Sequence, residues 1–62
     1  MPFPAGTEVR YCHEPATVVG YTYFERYVYY QVMKTYNGEP YGEPIEAHFS
    51  EVKNMQGETC PR

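Results

Sequence analysis

Apolar and polar positions alternate with a period of two over Thr7 to His13, and no useful window of the chain repeats apolar residues at i, i+3, i+4 and i+7. Six Pro and five Gly interrupt the sequence too often for helices. The pattern predicts an all-β chain. The first strand is expected over Thr7 to His13, where Val9 and Tyr11 alternate with Glu8, Arg10 and Cys12, and Glu14 and Pro15 end it. Ala16 to Phe24 and Tyr27 to Tyr36 are long runs of Val, Tyr, Thr and Phe, residues that pack well on a pleated surface. They meet at Glu25 and Arg26, so a turn there makes them an antiparallel hairpin.

A strict alternation then assigns the faces of that hairpin. Val18, Gly20, Thr22 and Phe24 share one side of the second strand, and Val19, Tyr21 and Tyr23 share the other. On the third strand Val28, Tyr30 and Val32 are the expected core, opposite Tyr27, Tyr29, Gln31 and Met33. Tyr30 and Phe24 are thereby predicted to be buried, and Tyr21, Tyr23, Tyr27 and Tyr29 to form one ridge on the outside. Asn37 to Pro44 (NGEPYGEP) reads as a loop opened by an Asn-Gly turn. Ile45 to Phe49 gives a fourth strand. Ser50 is placed to cap a single tight turn before a short fifth strand, Val52 to Met55.

Length limits what such a sheet can bury. A 62-residue chain is one domain, residues 1–62, and removes only about 60% of its unfolded surface from water. The ordered core is expected over about residues 6–55, with a loose tail over 56–62. Eight Tyr and three Phe compensate, because a Tyr ring buries a large area while its hydroxyl stays wet.

Five Lys and Arg against eight Glu give a net charge of −3, and Arg10, Arg26, Lys34, Lys53 and Arg62 form no run. That balance argues against generic phosphate-led binding, which needs clustered cations. MPFPAGTEV is not a signal sequence, and no segment approaches the roughly 18 apolar residues of a membrane span, so a cytoplasmic protein without membrane contact is expected. Cys12 and Cys60 could form one bridge; two free thiols are the preferred reading in that compartment.

GTEV at the opening, Val-Val-Gly in the second strand, Tyr-x-Val in the third and the closing FSEVK together resemble a Src-homology-3-like small barrel. The resemblance covers about residues 6–55 and extends to KOW, Tudor and several phage and plasmid proteins of this superfold. It implies a five-stranded antiparallel barrel with a one-turn 3₁₀ element, here Ser50 to Val52, before the last strand. The Ala-Leu-Tyr-Asp-Tyr-like stretch and the groove tryptophan of peptide-binding members are absent. KOW-type RNA binders are more basic, and PIEAHF does not match the pore strand of the plasmid-borne tetrameric dihydrofolate reductase.

Candidate chemistry is sparse. Cys12, His13, His48 and Cys60 lack metal-ligand spacing, so no metal or cofactor is expected. Glu46 and His48 share a strand face opposite Ile45, Ala47 and Phe49, the arrangement of a carboxylate-oriented base and equally of a solvated face. No catalytic residue is assigned. The expected function is a non-catalytic accessory or inhibitory module that docks on another protein, or on itself as a homo-oligomer. Its contact residues are Tyr21, Tyr23, Tyr27 and Tyr29, with Arg26 and Glu25 at the hairpin tip giving orientation. The alternative is single-stranded nucleic-acid binding by aromatic stacking. An oligomeric small-barrel enzyme is the third reading.

Overall fold

A computed structural model describes residues 1–59. Among them are six strands: β1 (Glu8–Tyr11), β2 (Glu14–Phe24), β3 (Tyr27–Tyr36), β4 (Glu39–Pro40), β5 (Ile45–His48) and β6 (Val52–Lys53), with one 3₁₀ turn over Phe49–Glu51. The chain is all-β and every pairing is antiparallel. Sheet order is β4-β3-β2-β1-β6, with β5 also on β3, so β3 pairs β2 along one side and β5 and β4 along the other. Among the described residues no ladder joins β6 to β5, and backbone pairing leaves the sheet open there. Six strands replace the five expected, because Asn37 and Gly38, both at positive φ, fold Glu39 and Pro40 back onto Tyr36 and Thr35.

The buried core comprises Val9, Ala16, Val18, Val28, Tyr30, Val32, Ala47 and Val52. Val28, Tyr30 and Val32 are the inward residues that the alternation of β3 predicts. Tyr30 is the largest of these side chains. Phe3 stacks on its ring at 5.6 Å between centroids and donates its backbone N–H to the phenol oxygen at 2.9 Å. The packed region therefore reaches N-terminal to Gly6. It is anchored there by Gly6 N–H to the Val18 carbonyl at 2.7 Å and Thr7 N–H to the Pro4 carbonyl at 3.1 Å.

β2 departs from strict alternation. Its register with β3 passes from Val18↔Val32 to Gly20↔Gln31, leaving Val19 as the extra residue of a β-bulge. One inserted residue exchanges the faces of everything beyond it. Tyr21 and Tyr23 consequently pair with Tyr30 and Val28 on the core side, while Thr22 and Phe24 pair with Tyr29 and Tyr27 on the other. Phe24, predicted to be buried, is 61% exposed.

The first hairpin also differs from expectation. β1 stops at Tyr11, Cys12 and His13 form a two-residue turn with φ of 54° and 69°, and β2 begins at Glu14 rather than Ala16. Two positive φ values are the mark of a type I′ turn, which favours Asn-Gly. Replacing Cys12 with Asn and His13 with Gly should therefore stabilise the fold by about 1 kcal/mol. A rise in Tm of roughly 4–8 °C checks this in a thermal melt; an unchanged or lower Tm would show that the turn carries no strain.

The C-terminal expectations change as well. The 3₁₀ turn covers Phe49–Glu51, and its N-cap is His48 rather than Ser50. β6 ends at Lys53 because Asn54 closes a turn: its Oδ1 accepts from the N–H groups of Gln56 and Glu58, both at 2.9 Å. Residues 56–58 of the expected tail are thus tied to the end of β6. Cys60, and with it the question of a Cys12–Cys60 bridge, lies outside the described residues.

Candidate functional site: a ring face on the long hairpin

The bulge at Val19 divides the four predicted contact tyrosines between two surfaces. On the core side Tyr21 meets Tyr30 edge to face at 6.3 Å and Tyr23 at 5.9 Å. Tyr21 is 42% exposed and Tyr23 60%, so this pair extends the core toward the hairpin tip. On the opposite side lie Tyr27 and Tyr29, joined by Phe24 instead of by Tyr21 and Tyr23. The single ridge expected from the sequence is therefore two ring clusters, back to back.

The second cluster is the more extensive. Phe24 packs edge to face on Tyr29 at 6.2 Å, and Tyr29 meets His48 of β5 at 5.3 Å. His48 lies 5.2 Å from Tyr27 and 4.6 Å from Phe49, and Tyr27 stacks on Phe49 at 5.9 Å with planes 14° apart. Five rings from β2, β3, β5 and the 3₁₀ turn form one connected surface. Thr22, Phe24, Tyr29 and Glu46 border a shallow depression in it. Glu46 and His48 share this face, as their spacing predicts, opposite Gln31 and Tyr29.

Local hydrogen bonds hold the histidine at the centre. The Nδ1 of His48 accepts the Ser50 N–H at 3.3 Å and lies 2.7 Å from the Ser50 hydroxyl. Glu51 returns the cap by accepting the His48 N–H at 3.1 Å. A capping box of this kind satisfies backbone donors that the short turn leaves open. The imidazole is consequently a fixed part of the ring surface. Its Nδ1 is occupied by the cap, which removes one nitrogen from the base role considered for Glu46 and His48.

The tip of the hairpin is Glu25 and Arg26, with Glu25 at φ 60°. Among the described residues neither makes an ion pair; Lys34 and Glu14, at the other end of the hairpin, form one at 3.2 Å. The Glu14 carboxylate, hydrogen-bonded to Lys34, raises the ammonium above the ordinary lysine range. Arg10 lies on the far flank of the sheet, opposite Lys53 in the β1–β6 ladder.

Two features of the site escape the sequence. Phe24 reads as core until the bulge is known, and His48 reads as a surface residue until its neighbours Ser50 and Glu51 are recognised as a cap. The Ser-Glu pair after His48 is the signal for the second; the first has none, because any residue of the Val18–Val19–Gly20 run could have been the bulged one. The described residues contain no group of three or more His, Cys, Asp or Glu side chains placed to hold a metal. Among the described residues no helix is long and apolar enough to cross a membrane. Compared with known proteins, the chain matches no family model, no curated protein and no solved structure at a significant level.

Proposed function

We propose that the chain is a non-catalytic, cytoplasmic protein-binding module whose contact element is the ring face of the β2–β3 hairpin, and that the partner this face fits best is a second copy of the chain. The observation that carries this reading is the connected surface Phe24–Tyr29–His48–Tyr27–Phe49, in which Phe24 is 61% and Tyr27 41% exposed. Rings already braced against one another lose little side-chain entropy on contact, and Tyr is enriched in interface hot spots. A 62-residue chain also gains from covering such a face, since a core of this size leaves a small margin of stability.

The hairpin tip favours self-pairing. Glu25 and Arg26 are adjacent, oppositely charged and, among the described residues, without an ion pair. A two-fold axis beside the tip brings each Glu25 to the other copy's Arg26, the self-complementary arrangement that an isologous contact requires. Tyr27, Tyr29, Glu25 and Arg26 stay in the proposed site, and Phe24 and His48 join them. Tyr21 and Tyr23, turned to the core side, form a separate surface.

The position of the cations favours a protein partner over the nucleic-acid alternative. Among the described cations Arg26 alone borders the ring face, next to Glu25; Arg10 is across the sheet and Lys34 is ion-paired, while Glu46 lies within the ring surface. Phosphates beside stacked bases would meet a carboxylate there. The Src-homology-3-like barrel is likewise proposed as the architecture: a one-turn 3₁₀ element, Phe49–Glu51, precedes the last strand, as the resemblance implies.

Concentration-dependent melting tests self-pairing. A dimer's Tm rises with protein concentration by mass action, and a monomer's does not. A rising Tm is expected for the wild type, and a weaker rise for Arg26→Glu, which sets like charges against each other at the axis. A Tm independent of concentration would overturn the self-association reading.

A further inference from the structure

On the flank of the sheet away from the ring face, Arg10 and Lys53 are directly opposite residues in the β1–β6 ladder. Both are exposed, and both project from the side of the strands opposite the buried Val9 and Val52. Like charges facing each other across a ladder repel. Among the described residues no carboxylate forms an ion pair with either one. The two cations border a depression of about 560 Å³, closed by the Cys12–His13 turn on one side and the Asn54–Gly57 turn on the other.

The remaining lining fits an anion. His13 enters the rim because the type I′ turn places it there, and Gln56 brings an amide side chain. Glu51 is the one carboxylate in the lining, and its Oε1 is drawn into the cap by the His48 N–H at 3.1 Å. Nearby, burial raises the Tyr11 phenol above its ordinary value, with Cys12 and Glu51 adding to the effect, so Tyr11 stays neutral and brings no negative charge. Two of the chain's five cationic side chains thus converge, without an ion pair among the described residues, on a concavity in a protein whose net charge is −3.

We propose that this depression binds a phosphate monoester. A dianionic tetrahedral group matches the paired charges: the Arg10 guanidinium can engage two of its oxygens and the Lys53 ammonium supplies a point charge. The volume exceeds what one phosphate occupies, which leaves room for the organic group it esterifies. The site and the ring face meet at the 3₁₀ turn but use different side chains: Ser50 and Glu51 line the depression, while Phe49 and His48 belong to the ring face.

Amide NMR titration tests the proposal on the full chain, with inorganic phosphate and phosphoserine as probes and potassium chloride at matched ionic strength as the control. Saturable shifts are expected at Arg10, His13, Lys53 and residues 54–57, with phosphoserine binding at least as tightly as phosphate and chloride giving no saturation. Lys53→Gln should raise Tm in chloride, because it relieves the repulsion, and should weaken phosphate binding at least tenfold. Shifts that chloride reproduces would reduce the effect to screening and overturn the proposal. So would undiminished phosphate binding by Arg10→Gln/Lys53→Gln, whose fold is monitored in the same spectra.

Discussion

Replacing Tyr30 with Ala is expected to remove much of the protein's folding stability. Removing a buried aromatic side chain costs about 3 to 5 kcal/mol. A chain of 62 residues has a total stability of only about 3 to 9 kcal/mol at typical values per residue. Tyr30 also joins parts of the structure that nothing else in the core joins in the same way. Its ring stacks on Phe3, meets Tyr21, and sits opposite Ala47 of β5, so its loss opens the sheet and releases the N-terminal segment together. Tyr30→Phe separates the two contributions. It keeps the ring and removes the oxygen that accepts the Phe3 N–H, at an expected cost of about 1 kcal/mol. Urea denaturation of dilute protein measures both, and a loss below about 1 kcal/mol for Tyr30→Ala would show that β3 faces the other way.

The second large effect is on association. Phe24→Ala with Tyr27→Ala should raise the dissociation constant of the dimer by at least about 30-fold, since truncating one hot-spot ring costs about 2 kcal/mol or more. Tyr23→Ala should leave association unchanged, although Tyr23 is as exposed as Phe24. The contrast follows from the bulge at Val19, which puts the two rings on opposite sides of the hairpin. Circular dichroism of each variant should remain that of the wild type, because substitutions at exposed positions usually change stability by less than about 0.5 kcal/mol. If Tyr23→Ala separates the copies and the Phe24 variant does not, the contact face is the one that Tyr21 and Tyr23 share.

The hairpin shows how far local pattern carries. The inward set of β3 is legible because Val28, Tyr30 and Val32 obey an uninterrupted period of two, and the turn at Glu25–Arg26 is legible because two strand-like runs meet there. β2 is legible only to Val18. A bulge is chosen by the fit of two strands to each other, and the run Val18–Val19–Gly20 would suit either register. The error then propagates to the site, exchanging Phe24 with Tyr21 and Tyr23.

Turn chemistry divides in the same way. Asn37–Gly38 announces its positive φ values by residue type, whereas Cys12–His13 adopts the same conformation without a residue that favours it. There the pairing of β1 with β2 and β6 overrides local preference, and no scan of turn residues would find it. Phe3 is a third kind of case. Its partner Tyr30 is 27 residues away, and Pro2 and Pro4 beside it suggest only an extended entry.

Self-association through the ring face is tested most directly by the solution mass of the wild-type protein, measured by light scattering over a wide concentration range with reductant present to exclude disulfide-linked species. The expected result is a mass that climbs from one chain toward twice the 7.3 kDa of a single chain as concentration rises. A mass that stays at 7.3 kDa up to millimolar concentration would contradict it.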